Sequence, residues 1–123
     1  MTNYFFYIIE YMEAILGFIV LGTLELHVLL AVMRGAGKAY GVSIAEELEK
    51  QTGKRHSIGA IYTTLERLLA KKLVSSRQGE ASPERGGRAK IHFEITTGGR
   101  AAVESSLVAT GNLTRGLRLA WST

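Results

Sequence analysis

The chain has no cysteine in its 123 residues. That excludes disulfides and thiolate metal sites, and it leaves the redox compartment open. Its three histidines, His27, His56 and His92, are scattered, and no close carboxylate pair joins them. No metal-ligand set is legible. No Ser-His-acid set, no paired catalytic acids and no phosphate-cradling glycine loop between a strand and a helix occur. The expectation is a protein that is not an enzyme and needs no metal or cofactor. Proline occurs once, at Pro83, and there are no internal repeats or low-complexity stretches. Positive charge is absent from the beginning of the chain. Residues 1–33 contain no Lys or Arg and three Glu (Glu10, Glu13, Glu25).

What is present is therefore segregated. All fifteen basic residues lie from Arg34 onward, and the formal net charge is +4. Between Lys54 and His92 nine basic residues face three acidic ones, Glu66, Glu80 and Glu84. A basic patch confined to a few elements is the footprint of a polyanionic partner, whereas a scattered one is only a solvated surface. The length suits one modest domain, which often completes its core by dimerising.

Residues 1–20 read as an apolar N-terminal extension, Tyr4 to Ile9 and Ala14 to Val20, interrupted by Glu10 and Glu13. A membrane span needs about 20 apolar residues and tolerates central carboxylates poorly. A signal peptide needs a positive start, which is lacking. An extra apolar helix packed on the domain or on a second copy is the expectation, with a cytoplasmic location. Met12 is a second plausible start, which would make residues 1–11 an upstream extension.

Helical periodicity then takes over. Leu21 to Arg34 places Leu21, Leu24, Val28, Leu29, Ala31 and Val32 on one broad face, and Gly35-Ala36-Gly37 ends it. Tyr40-Gly41 is a turn. Ser43 has capping-box spacing to Glu46 and opens a helix from Ile44 to Thr52, with Ile44, Ala45 and Leu48 inward. Lys54-Arg55-His56 is a basic turn. Ser57 caps a helix running to Leu73, with Ile58, Ile61, Leu65, Leu68 and Leu69 as its apolar stripe. The rest of its first two turns is small or hydroxylated: Gly59, Ala60, Thr63 and Thr64. Strands follow. Val74 to Arg77 is short, Ile91 to Ile95 alternates cleanly, and Gln78 to Lys90 reads as a long polar loop. Arg100 to Leu119 is a last helix. Val103, Leu107, Leu113, Leu117 and Trp121 share one face if the helix continues past Thr110 and Gly111.

Two short helices, a basic hairpin and a further helix make a winged helix-turn-helix, mainly α with a small β-hairpin. The expected organisation is an N-terminal extension at 1–20, a DNA-binding winged helix at 21–97 and a dimerisation helix at 98–123. The second short helix would enter the major groove. Its small face, Ser57, Gly59, Ala60, Thr63 and Thr64, can approach base edges, and a Thr methyl can meet a thymine methyl. Arg88 and Lys90 would meet backbone phosphate or a narrow minor groove, and Lys54, Arg55, His56, Arg67 and Arg77 are further DNA-binding candidates. Arg67 has an alternative in a glutamate on the helix surface, and Tyr62 in a core-edge role with its hydroxyl wet.

In this order and spacing the pieces resemble the PadR family of bacterial transcriptional regulators, over roughly Leu21 to Leu107. The resemblance rests on Leu21-Gly22-Thr23-Leu24-Glu25-Leu26, on Ala39-Tyr40-Gly41-Val42-Ser43-Ile44, and on Ser57 to Tyr62 with Leu65, Arg67 and Leu68. It continues in Gly86-Gly87-Arg88-Ala89-Lys90, Ile91 to Thr96, and Gly99-Arg100. It implies a phosphate contact for Tyr62, a homodimer with a C-terminal dimerisation helix, repression of a nearby gene, and often a small apolar or aromatic inducer. Binding would be to double-stranded DNA at an inverted-repeat operator. Three departures stand out. Tyr40-Gly41 reverses the family's usual order, Lys72 stands where Gly is common, and Phe93 is alone where the family often has two adjacent aromatics. The rival reading is an interaction module or membrane-associated adaptor on the same fold that does not bind DNA.

Overall fold

The computed structural model describes Ile8, residues 20–81 and residues 89–119. In chain order these form α1 (Thr23–Gly35), α2 (Gly41–Thr52), α3 (Ile58–Ala70), β1 (Val74–Ala81), β2 (Ala89–Ile95) and α4 (Thr97–Thr114). The expected N-terminal apolar helix lies outside the described residues except for Ile8, which is helical with an exposed side chain, and Val20, which is exposed and not helical. No helix among the described residues is long and apolar enough to cross a membrane.

Helix α1 buries Val28, Leu29, Ala31 and Val32, with Leu21 and Leu24 packed at the margin of the core. Glu25 reaches back to accept from the Gly22 N–H at 3.0 Å, which satisfies one orphan donor of the first turn. Helix α2 starts earlier than expected. Tyr40 is its N-cap residue, and Ser43 lies within the first turn. The Ser43 hydroxyl accepts from the Tyr40 N–H at 2.9 Å and donates to the Tyr40 carbonyl at 3.0 Å. Ser43 therefore pins the helix start from inside, and the expected Ser43–Glu46 capping box does not form.

Helix α3 begins as expected. The Ser57 hydroxyl accepts from the Ala60 N–H at 3.1 Å. Ile61, Leu65 and Leu68 are buried, but Ile58 is 42% exposed, because its turn stands clear of the core and borders a surface cleft. The helix ends at Ala70 in a Schellman turn. The Leu73 N–H donates to the Leu68 carbonyl at 2.9 Å and the Lys72 N–H to the Leu69 carbonyl at 3.0 Å. That geometry needs a left-handed residue, and Lys72 supplies it at φ 61°. A β-carbon makes this conformation cost about 1–2 kcal/mol. Lys72→Gly removes the strain and returns part of the gain as unfolded-state entropy. It is expected to raise the melting temperature by about 3 °C, read by circular dichroism. A fall would show that the Lys72 side chain contributes more than its backbone costs.

The two strands pair antiparallel, Val74 with Ile95, Arg77 with His92 and Ala81 with Ala89, with an irregularity between Gln78 and Ala81. Strand β1 thus runs four residues past the expected Arg77, and β2 starts at Ala89, not Ile91. Past the core, Gln78 and Ile91 are exposed and Gly79 and Lys90 half-buried, so polar residues occupy both faces and leave no apolar alternation to read. Phe93 is buried, and its N–H donates to the Ala39 carbonyl at 2.8 Å, tying β2 to the α1–α2 turn.

Helix α4 begins at Thr97, three residues before the expected Arg100. The Thr96 hydroxyl caps it by accepting from the Gly99 N–H at 3.0 Å, and it donates to the Lys72 carbonyl at 2.8 Å. Ala102 and Val103 complete the core shared by all six elements. Helix α4 then leaves the body, passes through Gly111 and stops at Thr114.

Candidate nucleic-acid interface

Helix α3 presents Ser57, Gly59, Tyr62, Thr63 and Arg67 on its exposed side, with Ala60 half-buried. Thr64 is not among them. It is 4% exposed, and its hydroxyl donates to the Ala60 carbonyl at 2.8 Å. The expectation that Thr64 reads bases is corrected. Three residues after Ile61 and four before Leu68, it lies on the inward stripe, where back-bonding satisfies its only donor. Tyr62 is 37% exposed, and its ring lies on the first residue of α2. A β-carbon at Gly41 would stand 2.5 Å from Tyr62 Cζ and 2.6 Å from its Oη. Glycine at 41 is what lets α3 bring this ring onto the start of α2.

The basic turn carries Lys54 and Arg55 exposed and His56 half-buried. Arg55 pairs with Glu49 at 3.3 Å, with side chains 84% and 44% exposed. Such a surface pair contributes at most about 1 kcal/mol and can be exchanged for another anion. A cleft of about 300 Å³ lies beside the turn, lined by Val42, Glu46, Glu49, Arg55, His56 and Ile58 among others. Its walls mix the charged side chains of Glu46, Glu49 and Arg55 with the apolar ones of Val42, Ala45 and Ile58. Arg67 lies farther along α3, toward Glu25. Burial raises the Glu25 carboxyl's pKa. The 2.7 Å ion pair with Lys71, the Gly22 N–H and the Arg67 charge outweigh that and hold it below its usual range.

On the hairpin, Arg77 and Gly79 of β1 share a face with Lys90 and His92 of β2, by the pairing of Arg77 with His92. Arg77 donates to the Gly37 carbonyl at 2.9 Å. The Lys90 ammonium sits 4.3 Å from the centre of the Tyr40 ring. The Tyr40 and His92 rings are 6.2 Å apart, tilted at 57°. His92 Nδ1 is buried without a hydrogen-bond partner among the described residues, beside Gly79, whose missing β-carbon leaves room for the imidazole. Desolvation, then the Arg77 and Lys90 charges, push the His92 pKa below its usual value. Arg88 lies outside the described residues.

In sequence, Tyr40 reads as a turn residue and His92 as one of three scattered histidines. Both belong to this face. The signal was the even spacing of Lys90 and His92 along one strand, but nothing local pointed to Tyr40.

The expected C-terminal stripe does not form as a unit. Val103 is 2% exposed and belongs to the domain's own core, so its assignment to a dimer surface is corrected. Leu107 and Leu113 are exposed on α4. Leu117 is exposed beyond the helix end, after a turn at Gly116 with φ 83°. Trp121 lies outside the described residues. No group of three His or Glu side chains is placed to hold a metal among the described residues.

Comparison with known proteins agrees with this architecture. Solved structures with the same fold include a PadR-like transcription factor from Bacteroides fragilis, 23% identical, with a TM-score of 0.64, covering 76% of this chain and 84% of that one. A PadR family regulator from Clostridium difficile is 18% identical with a TM-score of 0.61, covering 76% and 93%. A PadR-like regulator from Bacillus cereus is 26% identical with a TM-score of 0.57, covering 77% and 94%. No curated protein matches the chain. The family model of the PadR-like transcriptional regulators matches residues 29–105, from the middle of α1 to the middle of α4. By that match, over more than half its length, the chain belongs to the PadR-like family of transcriptional regulators.

Proposed function

We propose that this regulator binds double-stranded DNA sequence-specifically as a homodimer, at an inverted repeat, and represses transcription until a small-molecule effector releases it. The observation that carries the reading is a chain of contacts. It runs from the small face of α3, across the Tyr62 ring on Gly41, to Tyr40 and the Lys90 ammonium above it. Small residues suit base edges, and cations on the flanking hairpin suit phosphate. In this reading Ser57, Gly59, Ala60 and Thr63 face the groove, and Tyr62, Lys54, Arg55 and His56 flank it. Arg67, Arg77, Arg88 and Lys90 supply charge. Leu107, Leu113, Leu117 and Trp121, within the segment 98–123, are the apolar residues offered to a second copy. Two recognition helices in a dimer would span half-sites about 34–36 Å apart.

Selection of bound duplexes from random DNA tests this directly. The expected result is a two-fold symmetric consensus. Equal recovery of all sequences would favour an interaction module that does not read DNA. Lys90→Ala is expected to weaken binding to selected and unrelated duplexes alike, because phosphate contacts carry no base information. The slope of log affinity against log salt should flatten by about 0.9 per lost contact. An unchanged slope would remove Lys90 from the interface.

A further inference from the structure

We propose that Tyr40 is a positioning residue for the wing: its ring holds the Lys90 ammonium so that the hairpin's cations meet DNA in a fixed relation to α3. The proposal rests on the DNA-binding reading above.

The ring is well placed for this, because its backbone is fixed. The Tyr40 N–H donates to Ser43 Oγ at 2.9 Å, and its carbonyl accepts from Ser43 Oγ at 3.0 Å and from the Ile44 N–H at 2.9 Å. The next residue, Gly41, lies under Tyr62 of α3. Tyr40 is therefore joined to the recognition helix through two rigid elements. On its other side it meets the hairpin, with Lys90 Nζ 4.3 Å from the ring centre, inside cation–π range. His92, two residues along the same face, fills the space beside the ring at 6.2 Å.

The short segment that ends at Tyr40 holds both strands. Gly37 accepts from Arg77 of β1, Ala39 accepts from Phe93 of β2, and Tyr40 holds Lys90 near the point where β2 leaves the core. The first two contacts use carbonyls and survive most side-chain changes. The third depends on the Tyr40 ring. Lys90 lies next to the pairing irregularity between Gln78 and Ala81, where the ladder restrains the strands least. A lysine there would otherwise sample many rotamers, and ordering it on contact with DNA would weaken binding. Held over the ring, the ammonium is ordered in advance.

The test is a double-mutant cycle on the full chain, using the duplex selected by the parent. Tyr40→Leu is expected to weaken binding about two- to fivefold, the range of one exposed cation–π contact. Tyr40→Phe, which keeps a ring, should stay within about twofold of the parent. In a Lys90→Ala background, Tyr40→Leu should have no further effect. An equal loss in both backgrounds, or no loss in either, would overturn the proposal, since Tyr40 would then act through the fold or not at all.

A second measurement needs no DNA. Ring-current displacement of the Lys90 ε-methylene protons should be present in the free protein and absent in Tyr40→Leu. If the parent lacks that displacement, the ring does not hold the lysine and the proposal fails by itself. If the displacement is present but the parent binds no duplex, it is the DNA-binding reading that fails, and the positioning role goes with it.

Discussion

Gly99→Ala should lower the melting temperature by about 10–15 °C. A β-carbon at 99 would overlap the Leu73 carbonyl oxygen and stand 2.7 Å from Ile95 Cγ1. The carbonyl cannot simply move aside. It accepts from the Thr96 N–H at 3.1 Å, and Leu73 also closes the Schellman turn of α3. Helix α4 must withdraw instead, pulling Ala102 and Val103 out of contact with the core. Overpacking of this kind, with a strained hydrogen bond, costs about 3 kcal/mol. Gly59→Ala is the control. A β-carbon there meets nothing within 4 Å, so it should stabilise α3 by about 0.5–1 kcal/mol. Thermal unfolding by calorimetry compares the two. Equal melting temperatures would show that α4 can shift without loss.

A chain ending after Leu107 should keep its fold yet bind DNA at least about 100-fold more weakly. The cut spares Ala102 and Val103, the α4 residues that the domain core uses. What it removes is exposed: Val108, Leu113 and Leu117 are 62%, 78% and 57% accessible. The outer half of α4 has no packed face among the described residues, and a short helix without a partner surface is marginal in water. A second copy is the occupant proposed above. Its loss would leave a single half-site contact without the effective-concentration gain of two. Analytical ultracentrifugation should report a monomer, and circular dichroism a retained fold. A truncated chain that remains dimeric with full affinity would place the interface elsewhere.

Much of the fold was legible because it is written in local rules. The Ser57 cap, the stripe of Ile61, Leu65 and Leu68, and the glycines after α1 and α2 each follow from backbone geometry within a turn or two. The alternation of Ile91, Phe93 and Ile95 located β2, although Ile91 is 40% exposed where the strand runs past the core. The PadR resemblance came from the same local pieces taken in order. Local rules failed where a residue's chemistry and its position disagree. Thr64 is polar and reads as surface, but its place on the helix turns it inward. Ile58 and Val103 misled in opposite senses, since apolar character says that a face is wanted without saying whose.

By itself the sequence determined the order of elements, the polarity of their faces, the basic character of the helix-and-hairpin half and the family. Those depend on near neighbours and on a period of 2 or about 3.6 residues. Only the tertiary structure decided where α4 parts from the core, that Lys72 takes a glycine's conformation, and that Arg77, Lys90 and Tyr40 meet beside the α1–α2 turn. These depend on residues tens of positions apart, as with Arg77 and Gly37, separated by 40. No periodicity within either segment records such a meeting, because it is set by how whole elements pack.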